Sequence, residues 1–156
     1  MDGQTRKKVT AALNELYKTR EGSRTLANQA KAVLVFPEIT QAGLGVGGAY
    51  GTGAMRRGGS TTGYYNLAAA TVGFQIGAQS FSQAYFFNTQ EALDKFEQTK
   101  GFELGAGATA VAADFGASGE VSTSTLQQPL VVATWGQSGL MAGVTLEGAK
   151  ISQINP

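Results

Sequence analysis

The first part of the chain repeats its apolar positions with the period of an α-helix. Val9, Leu13 and Leu16 recur at the i, i+4, i+7 spacing of one helical face. At about 100° per residue, Lys7 and Lys18 fall on the opposite face. The pattern therefore predicts an amphipathic helix that packs its apolar stripe and turns lysines toward water.

After this helical segment, which we place at about residues 4–31, the period changes to that of a β-strand. Val33 to Phe36 is a short apolar run that stops at Pro37, typical of a buried strand. Gly43, Gly45 and Gly47 occupy every second position at the start of the glycine-rich segment Gly43–Gly53, which permits sharp sheet curvature or close contact with another element. Met55 to Thr61 is rich in glycine and charge and predicts a turn.

Alternating strands and one helix follow. The predicted strands are Gly63–Ala69, Val72–Phe87, Phe102–Ala113, Leu130–Trp135, Leu140–Leu146 and Ala149–Ile154. Asn88 with Glu91 forms a capping box, which predicts a helix at about residues 89–100. Gly116–Gln128 is polar and predicts a long mobile loop. We expect a single α+β domain over residues 1–156. Its core should be a compact antiparallel β-barrel-like sheet of about 6–8 strands at about residues 32–154, with about three helices packed outside.

The amino-acid composition excludes most catalytic mechanisms. The chain has no cysteine and no histidine, which excludes thiolate zinc sites, disulfides, cysteine nucleophiles and histidine-based triads. Charged residues are 15% of the chain, against about 25% in an ordinary domain. We predict no catalytic residue, no cofactor and no metal site, and we expect that the protein is not an enzyme.

Gly43 to Gly48 matches the pattern G-x-G-x-x-G of dinucleotide-binding loops. Such a site needs a helix directly after the glycines and an acidic residue about 20 positions further on. Here a strand pattern follows, and residues 68–70 are all alanine. Because the chain contains 22 glycines, we interpret the match as coincidence.

The net charge of +1 hides an asymmetry. Residues 1–57 carry nine basic and four acidic side chains, a net charge of +5, whereas residues 58–156 carry three and seven, a net charge of −4. This polarity predicts one face for an anionic partner, and the excess is too small for a duplex-binding protein. No stretch approaches the roughly 20 apolar residues of a membrane-spanning helix. The start of the sequence also lacks a signal peptide, so the protein is cytoplasmic or an export segment was removed.

Two basic clusters could meet that partner. Arg56 and Arg57, followed by glycines and hydroxyl side chains, could fork onto phosphate oxygens, or they could keep a hairpin tip soluble. The helix with Lys7, Lys8 and Lys18 could lie in a membrane interface, or it could pack on its own sheet with the lysines in water.

Five blocks of the sequence resemble successive blocks of the SYLF domain. They are Ala30–Pro37, Gly43–Gly48, Gly73–Gln79, Gln90–Phe96 and Ala142–Ile151. The blocks occur in order and cover about residues 26–154, while the first 25 residues match less distinctively.

The resemblance implies a lipid-binding domain, with phosphoinositides as the usual ligands, and a barrel-like β core with helices outside. This stand-alone chain looks like the bacterial branch, whose members are typically exported, many as lipoproteins. The resemblance therefore implies a periplasmic or outer-membrane-attached protein, with the signal segment absent from this chain. Relatives often carry basic residues where this chain has Glu38 and Gln41, so any headgroup site there should be weaker.

We therefore expect non-enzymatic, peripheral binding of anionic phospholipids or phosphoinositides, and no binding of nucleic acid. The predicted headgroup-binding residues are Arg56, Arg57, Lys7, Lys8 and Lys18. Two alternatives stay open: a small outer-membrane β-barrel, and a scaffold for an unknown protein partner with incidental lipid affinity.

Overall fold

The computed structural model describes residues 2–74, 79–98, 102–103, 111–113, 120–136, 139–140 and 149–154. Four helices lie in these ranges: α1 (Asp2–Thr19), α2 (Gly22–Gln29), α3 (Gln90–Gln98) and α4 (Thr123–Gln127). Eight strands accompany them: β1 (Ala32–Arg57), β2 (Ser60–Phe74), β3 (Gln79–Phe87), β4 (Phe102–Glu103), β5 (Val111–Ala112), β6 (Leu130–Gly136), β7 (Gly139–Leu140) and β8 (Lys150–Ile154). The predicted α+β class is confirmed.

The strands form one sheet in the order β4-β8-β2-β1-β3-β6-β5, and β7 also pairs with β6. Every pairing is antiparallel except that of β5 with β6. Within the described ranges no pairing joins β4 to β5, so the sheet is open there rather than a closed barrel.

The long strand β1 organises the fold because its two halves pair with different neighbours. Its first half pairs with β3 from Ala32 to Gln41, and its second half pairs with β2 from Gly45 to Arg57. The prediction that the strand stops at Pro37 was wrong. Pro37 lies at a register shift between Phe36 and Ile39, where a proline removes no ladder hydrogen bond. The hydroxyl of Ser82 on β3 donates to the Pro37 carbonyl oxygen (2.7 Å), which ties β3 to the irregularity.

Apolar side chains are buried on both faces of the sheet, since successive residues of a strand point to opposite faces. One cluster joins α1 and α2 to the sheet and includes Val9, Leu13, Leu16, Leu26, Val33, Val35, Ala54, Phe86 and Trp135. The other joins α3 to the opposite face and includes Leu34, Phe36, Ile39, Met55, Leu67, Tyr85, Phe87, Leu93 and Phe96. The sheet therefore lies between two helical layers.

A short polar chain crosses the buried part of the sheet. The hydroxyl of Tyr85 donates to Gln83 Oε1, and Gln83 Nε2 donates to Thr134 Oγ1 (3.0 Å). Because each buried polar group needs a partner, the three side chains satisfy one another. Burial strongly raises the pKa of the Tyr85 hydroxyl.

The connection between β1 and β2 is a tight hairpin. Gly58 and Gly59 form its loop with φ of 58° and 86°, the left-handed region that glycine adopts without strain. Arg57 pairs with Ser60 and Arg56 with Thr61, so both arginines are strand residues. The predicted turn over Met55–Thr61 is thus limited to its two central glycines.

Two local predictions need correction. The residue that caps α3 is Thr89 and not Asn88, because Thr89 Oγ1 accepts from the Ala92 amide (3.1 Å). The side chain of Asn88 instead donates to the carbonyl oxygen of Gln128 (2.8 Å). The predicted loop over residues 116–128 contains α4, whose first turn is capped by Ser122.

Several sequence predictions extend beyond the described ranges. The predicted strand over residues 102–113 contains β4 and β5, followed by Ala113, and the predicted strand over residues 140–146 contains the end of β7. The other positions of both predicted strands lie outside the described residues. The same holds for residues 75–78 of the predicted strand 72–87, and for residues 116–119 of the predicted loop.

Candidate functional site

Helix α1 presents a basic face to solvent. Val9, Leu13 and Leu16 are buried against the sheet, while Lys7 and Lys18 are exposed on the opposite side. The helical period of the sequence dictates this arrangement, since residues 7 and 18 lie about half a turn from the buried stripe. The predicted separation of apolar and basic side chains is confirmed.

Arg56 adds its charge to one edge of this helix. Its Nη2 donates to the main-chain carbonyl oxygen of Arg6 (3.0 Å) and to the hydroxyl of Thr10. Its Nε is buried and has no hydrogen-bond partner among the described residues. The guanidinium of Arg56 is therefore held against α1 at Arg6 and Thr10, two residues that flank Lys7 in the sequence.

A second guanidinium lies on the same edge. The Cζ atom of Arg24, from α2, is 4.8 Å from the ring centroid of Tyr17, a cation–π distance. Burial raises the pKa of the Tyr17 hydroxyl, and the positive charges of Arg24 and Arg56 oppose that rise. The positive charges of an α2 and a β1 residue thus both act on one tyrosine of α1.

Arg57 lies on the other side of the sheet. Its Nη1 is 3.6 Å from Glu97 Oε1 on α3, and both side chains are more than two-fifths exposed. Adjacent strand residues point to opposite faces, which explains why Arg56 meets α1 and Arg57 meets α3. The two arginines therefore do not form a fork on one side of the hairpin.

Lys8 lies apart from the Arg56 edge. It borders a cleft that α1 forms with Pro37, Glu38 and residues 50–52 of β1. The structure thus divides the five predicted headgroup-binding residues among three places: Lys7, Lys18 and Arg56 on the exposed face and one edge of α1, Lys8 at the cleft, and Arg57 beside α3. Their contact with a headgroup stays a prediction.

We call Arg6, Lys7, Lys18, Arg24 and Arg56 the α1 basic face. Within the described residues none of them forms an ion pair, whereas Arg57 pairs with Glu97. Sequence reasoning missed Arg24, because its approach to Tyr17 depends on the angle between two helices. The sequence also gave no signal that Arg56 would bind the main-chain carbonyl oxygen of Arg6.

The described residues contain no group of three or more carboxylates arranged to hold a metal ion. Among the described helices, none combines the length and the apolar character required to cross a membrane.

Comparison with known proteins identifies a family for this chain. The family model described as "Ysc84: Las17-binding protein actin regulator" matches residues 68–155, just over half of the chain. The matched segment begins within β2, at residue 68, and includes all later elements, and it does not include α1, α2 or β1. No curated protein matches the chain.

Proposed function

Since the chain belongs to the Ysc84 (SYLF) family, we propose that it binds anionic phospholipid headgroups at a membrane surface through the α1 basic face and performs no catalysis. The family agrees with the blocks of sequence that resemble the SYLF domain. The finer assignments, phosphoinositides as preferred ligands and an exported, membrane-attached location, stay predictions from that resemblance.

The observation that carries the proposal is the set of unpaired cations on one side of the fold. Arg6, Lys7, Lys18, Arg24 and Arg56 come from α1, α2 and β1, and none forms an ion pair within the described residues. A fold that needed these charges only for stability would be expected to pair some of them. Unpaired, they attract the negative surface of a membrane with about 1 kcal/mol for each basic residue near it.

The chemistry of the face fits phosphate oxygens. Lysine ammonium groups act as mobile point charges, whereas a guanidinium offers donors in a fixed plane. Arg56 is held by two hydrogen bonds through Nη2, which leaves its other terminal nitrogen available for a headgroup. We expect Lys7 and Lys18 to give long-range attraction and Arg24 and Arg56 to contact the headgroup at the edge of α1.

Co-sedimentation with lipid vesicles tests the proposal. We expect the protein to sediment with vesicles of phosphatidylcholine mixed with phosphatidylserine or a phosphoinositide, and to stay in the supernatant with phosphatidylcholine alone. Binding should weaken as the ionic strength rises from about 0.01 M to 0.15 M, because the Debye length falls from about 30 Å to 8 Å. Equal binding to neutral and anionic vesicles would contradict the proposal.

Paired variants locate the binding face. Lys7→Gln/Lys18→Gln removes two charges from α1, and Lys95→Gln/Lys150→Gln removes two exposed charges from α3 and β8. The first pair should weaken vesicle binding by about tenfold or more, since two charges contribute about 2 kcal/mol. The second pair should leave binding within about threefold of the wild type. If both pairs weaken binding equally, net charge rather than the α1 basic face drives association.

The description of the family supports a second candidate function. Its name refers to Las17 binding and actin regulation, which suggests a protein partner for this chain. Any lipid affinity would then be incidental. Co-sedimentation with purified actin filaments in the absence of lipid separates the two functions. Saturable, stoichiometric binding to filaments that survives Lys7→Gln/Lys18→Gln would favour the protein partner.

A further inference from the structure

A cleft of about 210 Å³ lies between the start of α1 and the bend of β1. Its walls carry Thr5 and Lys8 from the helix and Glu38, Thr40, Tyr50 and Thr52 from the strand. Sites for drug-sized ligands enclose roughly 300–1,000 Å³, so this cleft suits a smaller molecule. It is separate from the α1 basic face, because Lys8 and Arg56 lie on opposite edges of the helix.

The fold prepares the cleft in advance. At its floor, a β-carbon on Gly51 would lie 3.0 Å from both the Glu38 carbonyl oxygen and Ile39 Cγ1, so glycine lets the two halves of β1 approach. Behind the wall, Asn66 Oδ1 accepts a hydrogen bond from the hydroxyl of Thr52 (3.0 Å) and a longer one from the hydroxyl of Tyr50 (3.4 Å). The side chains of Tyr50 and Thr52 are thus oriented before any ligand enters.

The side chains in the cleft combine an aromatic ring with balanced hydrogen-bonding groups. Tyr50 is 56% exposed, more than any other large apolar side chain among the described residues. Lys8 can only donate hydrogen bonds, the Glu38 carboxylate can only accept them, and the threonine hydroxyls do both. The two formal charges cancel.

This combination discriminates between ligand classes. A phosphate group would be attracted by Lys8 and repelled by Glu38, so it gains little from the cleft. A peptide requires an extended groove rather than a compact cleft. A sugar has adjacent hydroxyls that pair with both kinds of polar group, and an apolar C–H face that stacks on an exposed aromatic ring. We propose that this cleft binds a neutral sugar unit about the size of one hexose.

Titration of the 15N-labelled full chain with D-glucose and with N-acetyl-D-glucosamine tests the proposal. At least one sugar should shift the amide resonances of Thr5, Lys8 and Tyr50 in a saturable manner, with a dissociation constant of about 1–10 mM, as expected for one ring in a shallow site. Inorganic phosphate should not saturate the same resonances. No saturable shift with either sugar, or tighter binding of phosphate at these residues, would overturn the proposal.

Variants then assign the interactions. Tyr50→Ala removes the ring and should weaken sugar binding by about tenfold, whereas Tyr50→Phe keeps the ring and should stay within about threefold. Lys8→Gln should weaken binding, while the matched variant Lys31→Gln, which changes an exposed lysine just before β1, should not. A Tyr50→Ala variant that binds sugar as tightly as the wild type would contradict the assigned role of the ring.

The source of the sugar is tested separately. Neutral phosphatidylcholine vesicles with and without a galactosyl diacylglycerol distinguish a glycolipid headgroup from a soluble glycan. Binding only to the glycolipid vesicles, lost in Tyr50→Ala and retained in Lys7→Gln/Lys18→Gln, would identify the headgroup as the source. Binding to free sugar without binding to these vesicles would identify a soluble glycan. Neither result depends on whether the α1 basic face binds anionic lipid.

Discussion

Replacement of Gly53 by alanine tests how closely the two halves of β1 approach. The added β-carbon would lie well inside 3.0 Å of the Val35 carbonyl oxygen, a separation that real Cβ atoms essentially never show, and 2.8 Å from Phe36 Cδ1. The first contact is with main chain rather than with the end of a flexible side chain. Relief therefore requires one half of β1 to move by on the order of 1 Å against a close-packed core.

The cost can be worked from this geometry. Overpacking a core costs about 1–3 kcal/mol, and a contact with main chain belongs at the upper end of that range. Glycine-to-alanine replacement also restricts the unfolded chain, which offsets about 0.4–1 kcal/mol. We expect a net loss of about 2 kcal/mol in the free energy of unfolding. At an m value of about 2 kcal/mol/M, the urea midpoint should fall by about 1 M.

Urea unfolding followed by tryptophan fluorescence provides the assay, because the single tryptophan, Trp135, is buried against α1 and the sheet. Gly48→Ala is the matched control, since its nearest contact is an ordinary 3.6 Å from the Ala69 carbonyl oxygen. The control should leave the midpoint unchanged or raise it slightly. If Gly53→Ala is as stable as Gly48→Ala, the close approach of the two halves of β1 is incorrect.

Three further predictions concern stability. Arg56→Ala should lower the free energy of unfolding by about 1–2 kcal/mol, because two hydrogen bonds to α1 are lost. Arg57→Ala should lower it by less than about 1 kcal/mol, because an exposed ion pair contributes little. Equal losses of stability in urea unfolding would contradict this difference. Thr89→Ala should cost about 1 kcal/mol and reduce the helical circular dichroism signal, and an unchanged midpoint would exclude the cap. Burial raises the pKa of Tyr85 above its ordinary value of 10.0, so the folded protein holds the proton more tightly than the unfolded chain. The free energy of unfolding should therefore decrease as the pH rises above 10. Tyr85→Phe should flatten this decline and the exposed Tyr50→Phe should not; the same slope in both variants would refute the assignment.

The sequence predicted those elements whose structure follows from local periodicity. The spacing of Val9, Leu13 and Leu16 was sufficient to define the buried side of α1 and, by subtraction, its basic side. Likewise, the continuous apolar run before Pro37 indicated a strand buried on both faces. Both features depend only on residues within a few positions of one another.

Features that depend on distant partners were predicted poorly. Pro37 does not end β1, because the register shift that accommodates it is set by β3, about 45 residues away. Helix α4 is five residues long, too short to show a helical period, although Ser122 carries the signal of a cap. The helix cap lies one residue after the predicted Asn88, at Thr89, because the Asn88 side chain bonds to Gln128 instead.

The candidate site shows the same division. Strand alternation alone could have separated Arg56 from Arg57, had the two-glycine turn been interpreted as a tight hairpin rather than as the centre of a longer turn. The contact of Arg24 with Tyr17, and of Arg56 with the carbonyl oxygen of Arg6, had no signature in the sequence. They follow from how α2 and β1 pack beside α1, which only the assembled fold determines.

The central claim is that the α1 basic face is the side of the molecule that lies against a membrane. A spin label in the bilayer measures directly which residues approach the lipid. In nanodiscs of phosphatidylcholine and phosphatidylserine with a headgroup spin label, amide resonances of Lys7, Lys18 and Arg24 should lose intensity most strongly. Those of α3, on the other face of the sheet, should keep theirs. Losses centred on α3, or losses spread evenly over the whole surface, would contradict the account.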